Sequence, residues 1–218
     1  MLIGALEAGG TKMVCAVGKE DGTILEQVSI PTTTPEETIP KLIEYFKDKE
    51  IEALGVAAFG PVDVKPESET YGYILDTPKL AWRHKDLLGR LKAELKVPMG
   101  LDTDVNGSCL GEVTYGCARG LDSVIYITIG TGVGVGVCIN GKLLHGMLHP
   151  EGGHILLARH ENDSKGGICP YHKNCLEGFA SGPSIEARWG KKGRGTGGQA
   201  RGMGDGELLH CPGSCGLY

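Results

Sequence analysis

Two glycine turns constrain this chain more than any other feature. Gly9-Gly10-Thr11-Lys12 lies between apolar runs at 2–6 and 13–17, and Gly130-Thr131-Gly132-Val133-Gly134 lies between runs at 123–129 and 133–139. A glycine turn joining two apolar runs of strand length predicts a hairpin. Its backbone N–H groups can then approach a phosphate closely, and hydroxyls or a lysine add donors. Neither spacing is that of a Walker loop or a dinucleotide fingerprint. A plain tight hairpin explains either turn alone; the recurrence favours phosphate binding.

The segments between these turns alternate strand and helix. Asp21-Gly22 predicts a hairpin into a strand at 24–30, and Asn140-Gly141 another after 133–139. Thr34-Pro35 opens a helix whose apolar face holds Ile39, Leu42, Ile43 and Phe46. A buried strand at 53–59 ends in Gly60-Pro61. A helix at 84–95, a strand at 97–101 and a helix at 105–115 follow. Residues 145–174 form a long polar loop, a length that implies function or a tether, and 175–189 reads as a helix interrupted near Gly182-Pro183.

With 218 residues, the chain suits one large or two modest domains. Its net charge of −5, acids and bases mixed, gives no basic stripe for nucleic acid or a membrane surface. No apolar run is long enough to span a bilayer. The start, MLIGALEAGGTK, lacks a basic region and a cleavage site, so a cytoplasmic location is expected. Eight cysteines in such a chain are not read as disulfides. Cys15, Cys109 and Cys138 lie in apolar stretches and are expected as buried thiols.

Asp104 follows one strand and opens a helix, so it is either an N-cap or a base presented at a strand end. His154, Cys169, His172 and Cys175 form a second constellation. The last three recur at two-residue gaps, which lets neighbouring ligands reach one tetrahedral zinc. A closed set of two Cys and two His implies a structural ion.

Taken together these segments resemble the ROK family (repressors, open reading frames and sugar kinases), in its fructokinase branch. The likeness rests on Glu7-Ala-Gly-Gly-Thr-Lys12, Gly60-Pro-Val-Asp63, Thr77-Pro-Lys79 with Trp82, Thr103-Asp-Val-Asn106 with Leu110-Gly-Glu112, and Ile129-Gly-Thr-Gly-Val-Gly134. It continues through His149-Pro-Glu-Gly-Gly-His154, the Cys/His run and Glu177-Gly-Phe-Ala-Ser-Gly182. The resemblance implies an α/β, actin-like (ribonuclease H-like) ATPase fold with a complete first lobe and an incomplete second one. Residues 1–115 would be the first lobe and 116–192 the start of the second.

The resemblance also implies phosphorylation of a hexose hydroxyl, fructose to fructose 6-phosphate, with ATP and Mg²⁺. Asp104 would be the general base. Gly60, Pro61, Asn106, Glu151, His154 and Glu177 would hold the sugar or order its site. Gly9, Gly10, Thr11, Lys12, Thr131 and Gly132 would contact phosphates, and His154, Cys169, His172 and Cys175 would bind structural zinc. A homodimer is the implied assembly. Glu7 stands where many relatives carry Asp, which would shift the metal or its water. With no helix-turn-helix segment before Leu2, a repressor role is disfavoured.

Residues 193–218 depart from this pattern. They are glycine-rich with no apolar period, and are expected to be an out-of-frame tail. Shifted by one base, Met203-Gly204 must encode Trp, and with allowed third bases the stretch spells an amphipathic helix-forming sequence. A chain ending there is expected to leave the strands at 123–139 with exposed apolar surface, to be poorly soluble or dependent on a partner, and to show weak or absent kinase activity. The alternative function is a non-catalytic sugar-binding remnant of such a kinase.

Overall fold

The computed structural model describes residues 1–147 and 149–190. The expectation for residues 193–218 lies outside the described residues. The chain opens with β1 (Leu2–Ala8), β2 (Lys12–Lys19) and β3 (Ile24–Pro31), an antiparallel meander joined by the first glycine turn and by Gly22 at φ 86°. Helix α1 (Pro35–Lys47) returns the chain to β4 (Ala53–Ala58), which pairs parallel with β1. A two-residue ribbon, β5 (Tyr73–Ile74) with β6 (Lys85–Asp86), leads into α2 (Leu87–Leu95). Then β7 (Met99–Thr103) pairs parallel with β4, completing a five-stranded sheet of order β3-β2-β1-β4-β7.

One face of this sheet carries the core. Period-2 alternation aims Leu6, Ala8, Met13, Cys15, Leu54 and Val56 inward. They meet Ile39, Leu42 and Phe46 of α1 and Leu87, Leu88 and Leu91 of α2, which recur at helical spacing. The other face presents small residues. There α3 (Asp104–Thr114) fits closely, Gly107 lying against the Ala57 methyl.

Helix α3 also packs on the second sheet: β8 (Ser123–Ile129), β9 (Val133–Ile139) and β10 (Lys142–Leu143), in the order β10-β9-β8. Both strands of the β8–β9 hairpin match the sequence reading residue for residue. The Asn140-Gly141 turn holds both residues at positive φ, as a tight hairpin requires. After β10 comes mostly irregular chain with one 3-10 turn at Gly152–His154, then α4 (Leu176–Ala180) and α5 (Gly182–Trp189).

Three local expectations are corrected. The second helix begins at Leu87 rather than 84, because His84 sits at φ 53° and Lys85-Asp86 pair with Tyr73-Ile74. The strand expected at 97–101 is shifted to Met99–Thr103 by its parallel register with Leu54–Ala58. The cap of α3 is Thr103, whose Oγ1 accepts from the Asn106 N–H at 3.2 Å, and Asp104 is the first helical residue. Cys15, Cys109 and Cys138 are buried thiols as expected.

Candidate active site

Parallel pairing of β4 with β7 brings their carboxyl ends side by side, Ala58 opposite Thr103. The chain leaving β4 makes the cis Gly60-Pro61 turn, and the chain leaving β7 begins α3 with Asp104. Both border a cleft of about 760 Å³, which the glycine hairpin between β8 and β9 and the segment at 149–154 also line. That is a usual volume for a small-molecule site. Gly60, Pro61, Asp104, Thr131, Gly132, Glu151, His154 and Glu177 all line it.

Asp104 is partly buried and its Oδ1 accepts from the Val105 N–H at 2.9 Å. Burial first, and the Glu7 carboxylate second, raise its pKa above the ordinary carboxylate range. The Val105 N–H and His149 oppose them without cancelling the effect. A carboxylate held above its usual range inside a cleft is a stronger base than one in water. Glu177 is tied to the hairpin: the Val133 N–H donates to its Oε2 at 3.0 Å, and a Cβ on Gly132 would lie 2.7 Å from that same oxygen. The hairpin is anchored again where the Gly182 N–H donates to the Gly130 carbonyl at 2.7 Å.

Asn106 is placed differently from its neighbours. It is fully buried, does not line the cleft, and donates through Nδ2 to Asp102 Oδ1 at 2.8 Å. His145 Nε2 meets the other oxygen of Asp102 at 2.7 Å, pinning the loop after β10 to the first sheet. Gly9, Gly10, Thr11 and Lys12 form the β1–β2 turn as expected but stand beside the cleft rather than in its wall. They are linked to it by Lys79, whose side chain lies over Gly10.

His154, Cys169, His172 and Cys175 converge, each offering one ligand atom within 4.8 Å of the others. Cys169 Sγ and Cys175 Sγ lie 3.8 and 3.7 Å from His154 Nδ1. The edge of a tetrahedron built on ordinary zinc–sulfur and zinc–nitrogen bonds is about 3.6 Å. Both thiols are buried, while His172 is exposed. Donor types, spacing and burial all fit a closed metal site.

The polar cleft residues with no role assigned from sequence include His149 and Lys79. His149 is held by Glu151, Nδ1 to Oε1 at 3.3 Å, while its Nε2 is buried beside Gly60 with no hydrogen-bond partner. Nothing local in the sequence signals either placement, since each depends on a distant glycine.

The sheet order, the two glycine turns and a carboxylate at a strand tip define an actin-like sugar-kinase architecture. The model of the ROK family matches residues 3–201, and the chain belongs to that family. A Bacillus subtilis protein is 56% identical over 191 residues, covering 88% of this chain and 64% of its own length. A fructokinase of Streptococcus mutans is 47% identical over 197 residues, covering 88% and 67%. Among solved structures, a ROK glucokinase from Streptomyces griseus in complex with glucose and AMPPNP superposes with a TM-score of 0.69 at 30% identity, covering 86% of this chain and 59% of that one. The chain thus spans about two thirds of the length of the curated relatives it matches.

Proposed function

We propose that this chain carries the acceptor site of an ATP-dependent hexose kinase acting on fructose to give fructose 6-phosphate. Its halves would divide near residue 115. The observation that carries the reading is Asp104: a carboxylate at the tip of β7, held above its ordinary range, in a cleft also lined by a glycine hairpin. Fructokinase relatives support fructose as the sugar.

In this reading Glu151, Glu177 and the backbone of Gly60-Pro61 hold the hexose, and His154 orders the wall through its metal bond. Asp104 orients the acceptor hydroxyl and takes its proton as the new oxygen–phosphorus bond forms. The bridge to ADP breaks in the same transfer, which needs positioning and charge stabilisation more than covalent help. Asn106 acts behind the site, fixing Asp102 and the strand end that aims Asp104. Gly10, Thr11, Lys12, Thr131 and Gly132 meet phosphate oxygens. Glu7, beside the first turn and close enough to influence Asp104, is the carboxylate suited to Mg²⁺ or its water. Mg²⁺ when bound offsets phosphate charge. The Cys/His set takes one structural Zn²⁺. A homodimer in the cytoplasm is the expected state, and none of the described helices is long and apolar enough to cross a membrane.

The test is ADP release with fructose on the purified chain and its Asp104→Asn variant. Turnover falling about 10²- to 10⁴-fold while fructose binding persists is the expected result; unchanged turnover would refute the base assignment. A second reading, sugar binding without transfer, is favoured by the uncovered isoleucines on β8. Fructose binding with no ATP-dependent turnover in the wild type would select it.

A further inference from the structure

Among the described residues Lys79 is the only lysine or arginine lining the cleft, whose wall also carries the carboxylates Asp76, Asp104, Glu151 and Glu177. It nevertheless makes no ion pair among the described residues. Its nearest acidic neighbour in sequence, Asp76, is engaged instead by His84 Nε2 at 3.3 Å and Arg83 Nε at 4.0 Å. The Lys79 stem crosses the first glycine turn so closely that a Cβ on Gly10 would lie 3.1 Å from Lys79 Cε and 3.9 Å from Cδ. A cation therefore bridges the turn suited to phosphate and the wall that holds Asp104.

The backbone under this lysine is firmly held. The Lys79 N–H donates to Thr77 Oγ1 at 3.3 Å, and the Lys79 carbonyl accepts from the Trp82 N–H at 2.9 Å. Trp82 is buried, packs edge-on against Phe59 at 5.9 Å, and donates its indole N–H to the Thr33 carbonyl at 2.7 Å. The short turn that ends in Trp82 is thus nailed into the first sheet's core, and Lys79 projects from a fixed point. Charge placed in advance where negative charge develops is the arrangement that stabilises a transferring phosphoryl group.

We propose that Lys79 contacts the phosphoryl group in transit, and holds the same group once it is an ester on the hexose. This rests on the kinase reading above. The hydroxyl oxygen of the hexose bonds to the γ-phosphorus of ATP, the β,γ-bridge opens to ADP, and the proton passes to Asp104. The Lys79 side chain neutralises the equatorial oxygens.

Product binding tests this without relying on the nucleotide side. Calorimetric titration of the full chain with fructose and with fructose 6-phosphate is compared for wild type, Lys79→Met and Lys79→Arg. The expected result is that Lys79→Met binds the ester about 10- to 100-fold more weakly, the range for one charged hydrogen bond. Fructose affinity should change less than about twofold on the same reasoning. Lys79→Arg should recover most of the loss, and wild-type affinity for the ester alone should fall with added salt. Thermal melts of the three proteins confirm a common fold.

Equal loss for sugar and ester, no loss for the ester, or a wild type that binds fructose but gains nothing from the phosphate would each overturn the role of Lys79 and leave the hexose site standing. A wild type that binds neither ligand overturns the hexose site itself, and the inference with it.

Discussion

The two sheets solve the same problem unequally. The five-stranded sheet buries large residues on the face covered by α1 and α2, and offers mainly small ones, such as Ala5, Gly55, Ala57 and Gly100, on the other. Exposing alanine and glycine is inexpensive, because little apolar area is left wet. On β8 the pattern is reversed: Val124, Tyr126 and Thr128 are the half-buried positions, while Ile125, Ile127 and Ile129 are 66%, 45% and 38% exposed. A row of isoleucines along one strand face, on the outer strand of a three-stranded sheet, is surface built to be covered. The first sheet exposes large apolar residues only at its edge strand β3, at Ile24, Leu25 and Val28, and has a buried core under two helices; among the described residues the second sheet has no such core.

On the proposed zinc reading, removing the metal should widen this contrast most. The loop between β10 and α4 has little apolar packing of its own: Ile155, Leu156, Leu157 and Ile168 are all exposed. Its order rests on the Cys/His cluster and a few backbone bonds, including the Leu176 N–H to the Ile155 carbonyl at 2.9 Å. Structural zinc in small sites contributes about 10 kcal/mol or more to folding. Chelation, or Cys175→Ser, should therefore abolish hydrogen-exchange protection from residue 152 to 178 while β1, β2 and β4 still exchange slowly. Simultaneous loss in both regions would show that the second sheet's order supports the first. One zinc per chain by elemental analysis is the companion result.

A pair of truncations measures the contrast directly. Leu54, 1% exposed under α1, should cost about 2–5 kcal/mol when replaced by alanine. Ile127→Ala on the open face should stay within about 0.5 kcal/mol, while raising the protein concentration at which light scattering detects aggregates. Equal costs by denaturant titration would mean that the β8 face is covered in solution.

Legibility in the sequence followed the same division. Strands and hairpins were readable wherever a period of two met a glycine turn, which is why β8 and β9 were located to the residue. The Cys169-His172-Cys175 run was legible as a candidate ligand set because its spacing is local, while His154 joins it only through the fold. Lys85-Asp86 was not, since a two-residue strand exists only through its partner Tyr73-Ile74. Asn106 was assigned near the sugar by its place beside Asp104, but one turn of helix directs its amide back toward Asp102. Lys79 and His149 gained roles from the folded positions of Gly10 and Gly60, and no spacing rule reports that.

The weakest expected effect concerns how the end of the described chain is fastened. Arg188 on α5 forks onto Asp163, Nη1 to Oδ1 at 3.0 Å and Nη2 to Oδ2 at 2.7 Å, joining the loop of the Cys/His cluster to the last described helix. Hydrogen bonds from the Arg188 guanidinium, foremost among the causes, lower the Asp163 pKa to about 2. A carboxylate depressed in the folded state stabilises it fully above its unfolded pKa near 3.9. That contribution is then lost as pH falls toward 2. Arg188→Ala should therefore lower the melting temperature slightly at neutral pH, by no more than a surface ion pair usually gives, and the gap from wild type should close between about pH 4 and pH 2. Exchange protection should change at 159–166 and in α5, and stay constant in β1 and β4. A gap that persisted at pH 2 would assign the Arg188 contribution to its packing on Phe179, 5.3 Å from the guanidinium carbon, rather than to charge.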